Sequence, residues 1–434
     1  MDCSLVTGKD QEDRGKKEKK KEKFSYRKRK ICLKLKNLPF SRKEKILEGG
    51  IFMNISDLEL NSIKRVGIDK IKLSGFAVEH IDMHKLQAMA DRVEIVQSIN
   101  PLKPCKRHMP ESGAGISKIL IKDNEIFSDL LIGCSNCGNS IPIEYVYLTI
   151  CVSNAKGFNL ENMTYEEYDT YIHQVLEYIH SEYGITLHNA YMKVDYIEIN
   201  TNIFLTNAFS QYNRVLRLFM SFFHNHLGKL NTYDKIGNKK IIHEESFTRS
   251  NKSLEVIFYD KIQQLKNEGM EIEHGIEILR IELKLKNRKK IKSVFESSFW
   301  KDLSQEKLNE YFHQQIYEQL LKKFNTWQLT REKELKRLIV DCRTKNKNTW
   351  HHKLMQEIRN RSELEMIPYI LDIEQVCSAF KKMPDPHRNA QRALKALLSI
   401  SIENDIYKNN DIEKVYEILE TLNDYIKATS SYPQ

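Results

Sequence analysis

The segments Ser253-Leu-Glu-Val-Ile-Phe-Tyr-Asp-Lys-Ile-Gln-Gln-Leu265 and Ile278-Leu-Arg-Ile-Glu-Leu-Lys-Leu-Lys286 decide the fold. Leu254, Val256 and Phe258 alternate with Glu255, Ile257, Tyr259 and Lys261. Leu279, Ile281, Leu283 and Leu285 alternate with Arg280, Glu282, Lys284 and Lys286. A period of two with one apolar face predicts two half-buried strands. Tyr259 and Lys261 then share one strand face, and Arg280, Glu282 and Lys284 share the other strand's polar face. A phenol beside an ammonium, near a carboxylate able to hold a metal, is a phosphoryl-transfer arrangement. The plain alternative is a pair of polar strand faces in water.

Upstream, Ile68–Glu79, Ile116–Lys122, Ile126–Ile132, Tyr145–Ser153 and Tyr191–Asn200 carry strand alternation, with Asp123-Asn124-Glu125 as a hairpin turn. His84–Val96, Thr164–Tyr183 and Asn207–Leu227 carry helical periodicity, and Thr164 with Glu167 spells a capping box. This order predicts an α+β fold with a mostly antiparallel sheet and packed helices. From about Phe299 the apolar spacing becomes helical throughout, so an all-helical C-terminal region is expected over residues 300–434. The expected organisation is a basic tail over 1–52, an α+β domain over 53–299 and a helical domain over 300–434.

The chain has 434 residues, a net charge of +10 and 29% charged residues. Residues 1–48 hold 17 Lys/Arg against 8 Asp/Glu, so nearly all the surplus sits there. Such a tract repels itself and buries little, which predicts disorder until a polyanion is met. A translated ribosome-binding site at Glu48-Gly49-Gly50, with the true start at Met53, is an alternative. No run of 18 apolar residues and no signal-like leader is present, so no membrane span and a cytoplasmic location are expected. The eight cysteines then read as reduced thiols.

Cys105 with His108, and Cys134 with Cys137, have the spacing of two halves of a structural zinc site, or are thiols in ordinary loops. His224/His226 and His351/His352 are spaced poorly for shared ligation on a helix. No P-loop, GxGxxG or GxSxG occurs, which removes support for ATPase, dinucleotide and serine-hydrolase readings. Asp195 and Glu198 fall on opposite faces of one expected strand.

Four stretches, taken in order, resemble rolling-circle replication initiators of the filamentous-phage gene II/X-like family and their relatives on Gram-positive plasmids. They are YLTICVSNAKGFNLENMT, YMKVDYIEIN, LEVIFYDKIQQL and ILRIELKLKNRKKIKS, and the resemblance spans about residues 66–296. It implies a DNA endonuclease and strand transferase that nicks and rejoins origin DNA to start rolling-circle replication of a plasmid or phage. By position, Tyr259 matches the nucleophile that forms a 5′-phosphotyrosine, and Lys261 the lysine beyond it. Asp195 and Glu282 match acids that would hold Mg²⁺ or Mn²⁺. Arg280, Lys284 and Lys286 would meet DNA. Implied partners are origin DNA, supercoiled or single-stranded, and a host helicase and polymerase. The chain departs from the family at Thr149 and Cys151, where an acid is usual, and it lacks a His-apolar-His strand. The competing reading is a noncatalytic DNA-binding initiator or regulator.

Overall fold

The structure is a computed structural model. It describes residues 51–53 and 63–430, apart from 90, 99–114, 124, 135–142, 157–159, 224–226, 228–232, 237–238, 243–245, 273–274, 346–348, 366, 384–394, 397–398 and 400–410. The expected basic tail over 1–52 lies almost entirely outside the described residues.

Among the described residues, nine strands form one antiparallel sheet. In chain order they are β1 (Gly67–Ser74), β2 (Val93–Ser98), β3 (Gly115–Ile121), β4 (Asp129–Cys134), β5 (Ile143–Cys151), β6 (Lys193–Phe204), β7 (Ser246–Ser250), β8 (Leu254–Asp260) and β9 (Ile278–Leu285). Their spatial order is β7-β8-β9-β6-β1-β5-β4-β3-β2. The two deciding segments are therefore neighbours, with Tyr259 opposite Arg280 and Ile257 opposite Glu282.

One face of the sheet is apolar. Ile71, Leu73, Leu148, Ile150, Val194, Ile197, Ile199, Ile281 and Leu283 are buried in the main core. Helix α1 (Tyr165–Tyr183) contributes Tyr168, Ile172, Val175, Ile179 and Tyr183 to that core at helical spacing. Thr164 caps it with the expected box, and Gly184 ends it in the left-handed region at φ 67°. The hydroxyls of Tyr178 and Tyr183 both donate to Asp123, which also caps its own turn through the Glu125 and Ile126 amides.

Further helices are α2 (Asn213–Ser221), between β6 and β7, α3 (Lys261–Asn267), between β8 and β9, and, after the sheet, α4 (Arg288–Phe295), α5 (Gln305–Phe312), α6 (Gln319–Lys345), α7 (Trp350–Glu365), α8 (Ile373–Lys381) and α9 (Asp411–Ser430). Residues 53–434 form one compact unit. Trp300, Phe312, Ile316, Phe324, Val415, Ile418 and Leu422 join the same core as the sheet. A second cluster of Leu335, Ile339, Leu354, Ile358, Val376 and Phe380 ties α6, α7 and α8 together.

Four segments depart from expectation. The helix expected over Asn207–Leu227 is confined to α2, preceded by a 3₁₀ turn at Phe209–Tyr212. The strand expected over Ile68–Glu79 breaks at Gly75, whose φ of 81° suits glycine and turns the chain. The helix expected over His84–Val96 shrinks to Met83–Gln87, and Val93–Ser98 becomes the edge strand β2. Lys261 is not on a strand: β8 stops at Asp260, whose carboxylate caps α3 through the Gln263 amide.

Candidate active site

The face of the sheet opposite the apolar core is polar, and its centre is buried. Arg280, Asn200 and Asn202 are fully buried, and Glu198 and Glu282 nearly so. Each gains a partner through strand register, since Arg280 sits opposite Asn202, Glu282 opposite Asn200, and Lys284 opposite Glu198.

Tyr259 Oη donates to Glu282 Oε1 at 2.5 Å. Lys284 Nζ lies 3.2 Å from Glu282 Oε2 and 3.3 Å from Glu198 Oε1. Tyr196 Oη donates to Glu198 in turn. The result is a chain of tyrosine, glutamate, lysine, glutamate and tyrosine across β8, β9 and β6. Burial raises the Glu282 carboxyl, but Lys284, Arg280 and the Tyr259 bond outweigh it, so Glu282 lies below its ordinary value. Burial dominates at Glu198 and pushes it up. Burial and the Glu282 charge hold the Tyr259 phenol well above its ordinary value. The neutral phenol is the resting form.

Lys261 is fully buried. Its Nζ donates to Gln264 Oε1 at 2.9 Å and lies 5.8 Å from the Tyr259 ring centre. Burial, helped by the Arg280 charge, lowers its pKa to about 7. Near neutral pH it is partly an uncharged amine, able to accept a proton.

Arg280, expected at DNA, is instead an internal strut. Its Nε donates to Asn202 Oδ1 at 2.7 Å and its Nη2 to the Leu160 carbonyl at 2.9 Å. Asn202 holds the Ile63 and Leu160 carbonyls from its other end. Lys286 pairs with Glu255, and Lys284 is taken up by the two glutamates.

Asp195 is not brought to Glu282. It lies at a bulge in β6, where Arg288 Nε donates to it at 2.6 Å. Asn200, the partner of Glu282, is five residues further along β6, roughly 16 Å at ~3.3 Å per residue. Glu198, on the other strand parity, takes the place expected of Asp195. The sequence signal for it was present, since Tyr196, Glu198, Asn200 and Asn202 alternate with Ile197, Ile199 and Ile203.

Two carboxylates with oxygen donors suit a hard divalent cation such as Mg²⁺ or Mn²⁺. The Lys284 ammonium stands between them, as a built-in counter-charge. Among the described residues, no group of three or more His, Cys, Asp or Glu side chains is arranged to hold a metal ion. Of the zinc candidates, Cys105, His108 and Cys137 lie outside the described residues. Cys134 is a buried free thiol in β4, with its pKa raised by burial. Among the described residues, no helix is long and apolar enough to cross a membrane.

No protein-family model matches the chain, and no curated protein matches it. Among solved structures, a rolling-circle replication initiator protein from Geobacillus stearothermophilus is similar at a TM-score of 0.25 and 11% identity, over 52% of this chain and 76% of that one. The Methanococcus jannaschii TBP is similar at a TM-score of 0.24 and 8% identity, over 55% of this chain and 99% of that one. At such scores neither likeness bears on what this chain does.

Proposed function

We propose that the chain is a replication initiator that nicks and rejoins DNA, with Tyr259 as nucleophile. The observation that carries this reading is the Tyr259 hydroxyl aimed at the Glu282 carboxylate from a polar sheet face, with the amine of Lys261 beside it. In the proposed step, Tyr259 Oη bonds to phosphorus and the phosphorus–O3′ bond breaks. The phenol proton passes to Glu282 Oε1, onto which it already points, and from there to the leaving O3′. The products are a 5′-phosphotyrosine and a free 3′-OH, and the reverse reaction rejoins the strand. Lys261 is the alternative proton acceptor, because burial has brought it near neutrality. Glu282 and Glu198 are the residues that would hold Mg²⁺ or Mn²⁺. Such an ion would supply Lewis-acid stabilisation of charge on the phosphate.

A second reading has its own support. Lys284 already bridges both glutamates, and the Tyr259 phenol is held neutral. A noncatalytic DNA-binding initiator would have the same features.

One assay separates them. The protein is incubated with supercoiled plasmid carrying the DNA that flanks its own gene, with Mg²⁺ or Mn²⁺, and then denatured in detergent. A covalent adduct that Tyr259→Phe abolishes is the expected result. An adduct that persists in the Phe variant removes Tyr259 as nucleophile. Binding without a nick in either metal selects the noncatalytic reading.

A further inference from the structure

We propose that the polar face over β4, β5, β1 and β6, exposed at Tyr145 and half-buried at Tyr147 and Lys72, is a stacking platform for single-stranded DNA, leading to the Tyr259 site. This rests on the DNA reading above and adds the binding surface. Tyr145, Tyr147, Thr149 and Cys151 point to this face, because Val146, Leu148 and Ile150 between them fill the core. The Tyr145 ring lies across β4 rather than standing off it. Its cross-strand partner is Gly133, and a Cβ there would come within 2.2–2.5 Å of the ring atoms. Glycine thus lets the phenol lie flat, with 38% of the residue still exposed. Tyr147 follows at 5.4 Å between ring centres.

Cations interleave with these rings. Lys72 Nζ is 4.5 Å from the Tyr147 ring centre. In the next row, Tyr147 pairs with Ser74 and Ser74 with Lys193, whose Nζ lies 5.0 Å from the Phe299 ring centre. Lys301 approaches Phe299 at 6.0 Å. The acids on this face are already engaged: Asp129 accepts from Thr149, Asp195 pairs with Arg288, Glu198 with Lys284 and Asp69 with Arg280. Flat aromatic faces beside lysines match the alternation of base and phosphate in an unpaired strand. A duplex, whose bases are hidden, cannot use the rings. The platform also continues into the site, since Lys72 sits opposite Tyr196, which donates to Glu198.

The test is binding of a labelled, mixed-sequence single strand by fluorescence anisotropy, without metal, using the full chain. The wild type is expected to prefer the single strand over a duplex of equal length. Tyr145→Ala and Tyr147→Ala should each weaken binding roughly tenfold, while the Phe variants retain it. Gly133→Val should act like Tyr145→Ala, by lifting the ring. Lys72→Ala should lower the slope of log affinity against log salt by about 0.7. The wild type supplies an independent check: photocrosslinking of a 5-iodouracil strand should label the 143–151 peptide. Equal affinity for single strand and duplex, undiminished binding by the Ala variants, Phe variants as weak as Ala, or crosslinks only elsewhere would each overturn the platform. None of these readouts needs nicking, so loss of the Tyr259 assignment would leave them interpretable.

Discussion

Replacing Lys261 by Met should make the protein more stable and less pH-dependent. Lys261 is fully buried, and its pKa falls from 10.5 to about 7 on folding. The unfolded chain therefore binds more protons than the folded one between about pH 7 and 10.5. In that window, stability from this group rises with pH, and it is lost as pH falls through 7. Each pKa unit corresponds to about 1.4 kcal/mol, so the full penalty at or below neutral pH is on the order of 5 kcal/mol. Met has a similar length and no charge. It leaves Gln264 without its donor, which returns about 1 kcal/mol. A net gain of a few kcal/mol near pH 7 is expected, shrinking towards zero near pH 10. Urea unfolding of both proteins from pH 6 to 10 reads this as a difference in midpoint that closes with rising pH. Parallel midpoint profiles, or a less stable Met variant at pH 7, would refute the reasoning. They would mean that Lys261 is solvated or paired when folded. The same variant should lose covalent adduct formation if the amine takes the Tyr259 proton.

Lys284→Met should cost about 3–5 kcal/mol, because Glu198 and Glu282 lose their shared counter-charge. Millimolar Mn²⁺ should restore part of that loss in the variant and much less in the wild type, as a shift in melting temperature. Asp195→Asn should change stability by less than about 1 kcal/mol, since Arg288 is well exposed, and should leave any adduct formation intact. Thr164→Ala should cost about 1 kcal/mol through loss of the α1 cap, measured by urea unfolding.

The alternation in 254–260 and 278–285 announced β8 and β9, and Thr164 with Glu167 announced the start of α1, because local periodicity and capping chemistry decide those elements. The site was only half legible. Tyr259 and Glu282 meet as their strand positions imply, since antiparallel register puts Ile257 opposite Glu282 and Tyr259 two pairs further on, on the same face. Asp195 was favoured over Glu198 by position in a motif. Strand parity favoured Glu198, and a bulge that no local pattern announces set Asp195 beside Arg288. Arg280 looked like a surface cation because its strand alternates. Its burial comes from Leu160 and Asn202, which are 120 and 78 residues away in the chain. The switch at Asp260 was visible in retrospect, as an N-cap residue followed by Ile262 and Leu265 at helical spacing.

The last helix has a consequence for biosynthesis. Glu417 in α9 accepts from Tyr212 at 2.6 Å, across 205 residues of chain, and Arg214 pairs with Asp411 at 3.2 Å. Val415, Ile418 and Leu422 complete the core that also packs the sheet. At roughly 5–20 residues per second, a ribosome needs about 10–40 seconds to travel from α2 to α9. Throughout that interval the nascent sheet is missing part of its apolar cover. The polypeptide emerging from the exit tunnel therefore exposes apolar surface until α9 is made, and release of a nearly finished chain, stopped before Asp411, would yield a product prone to aggregation.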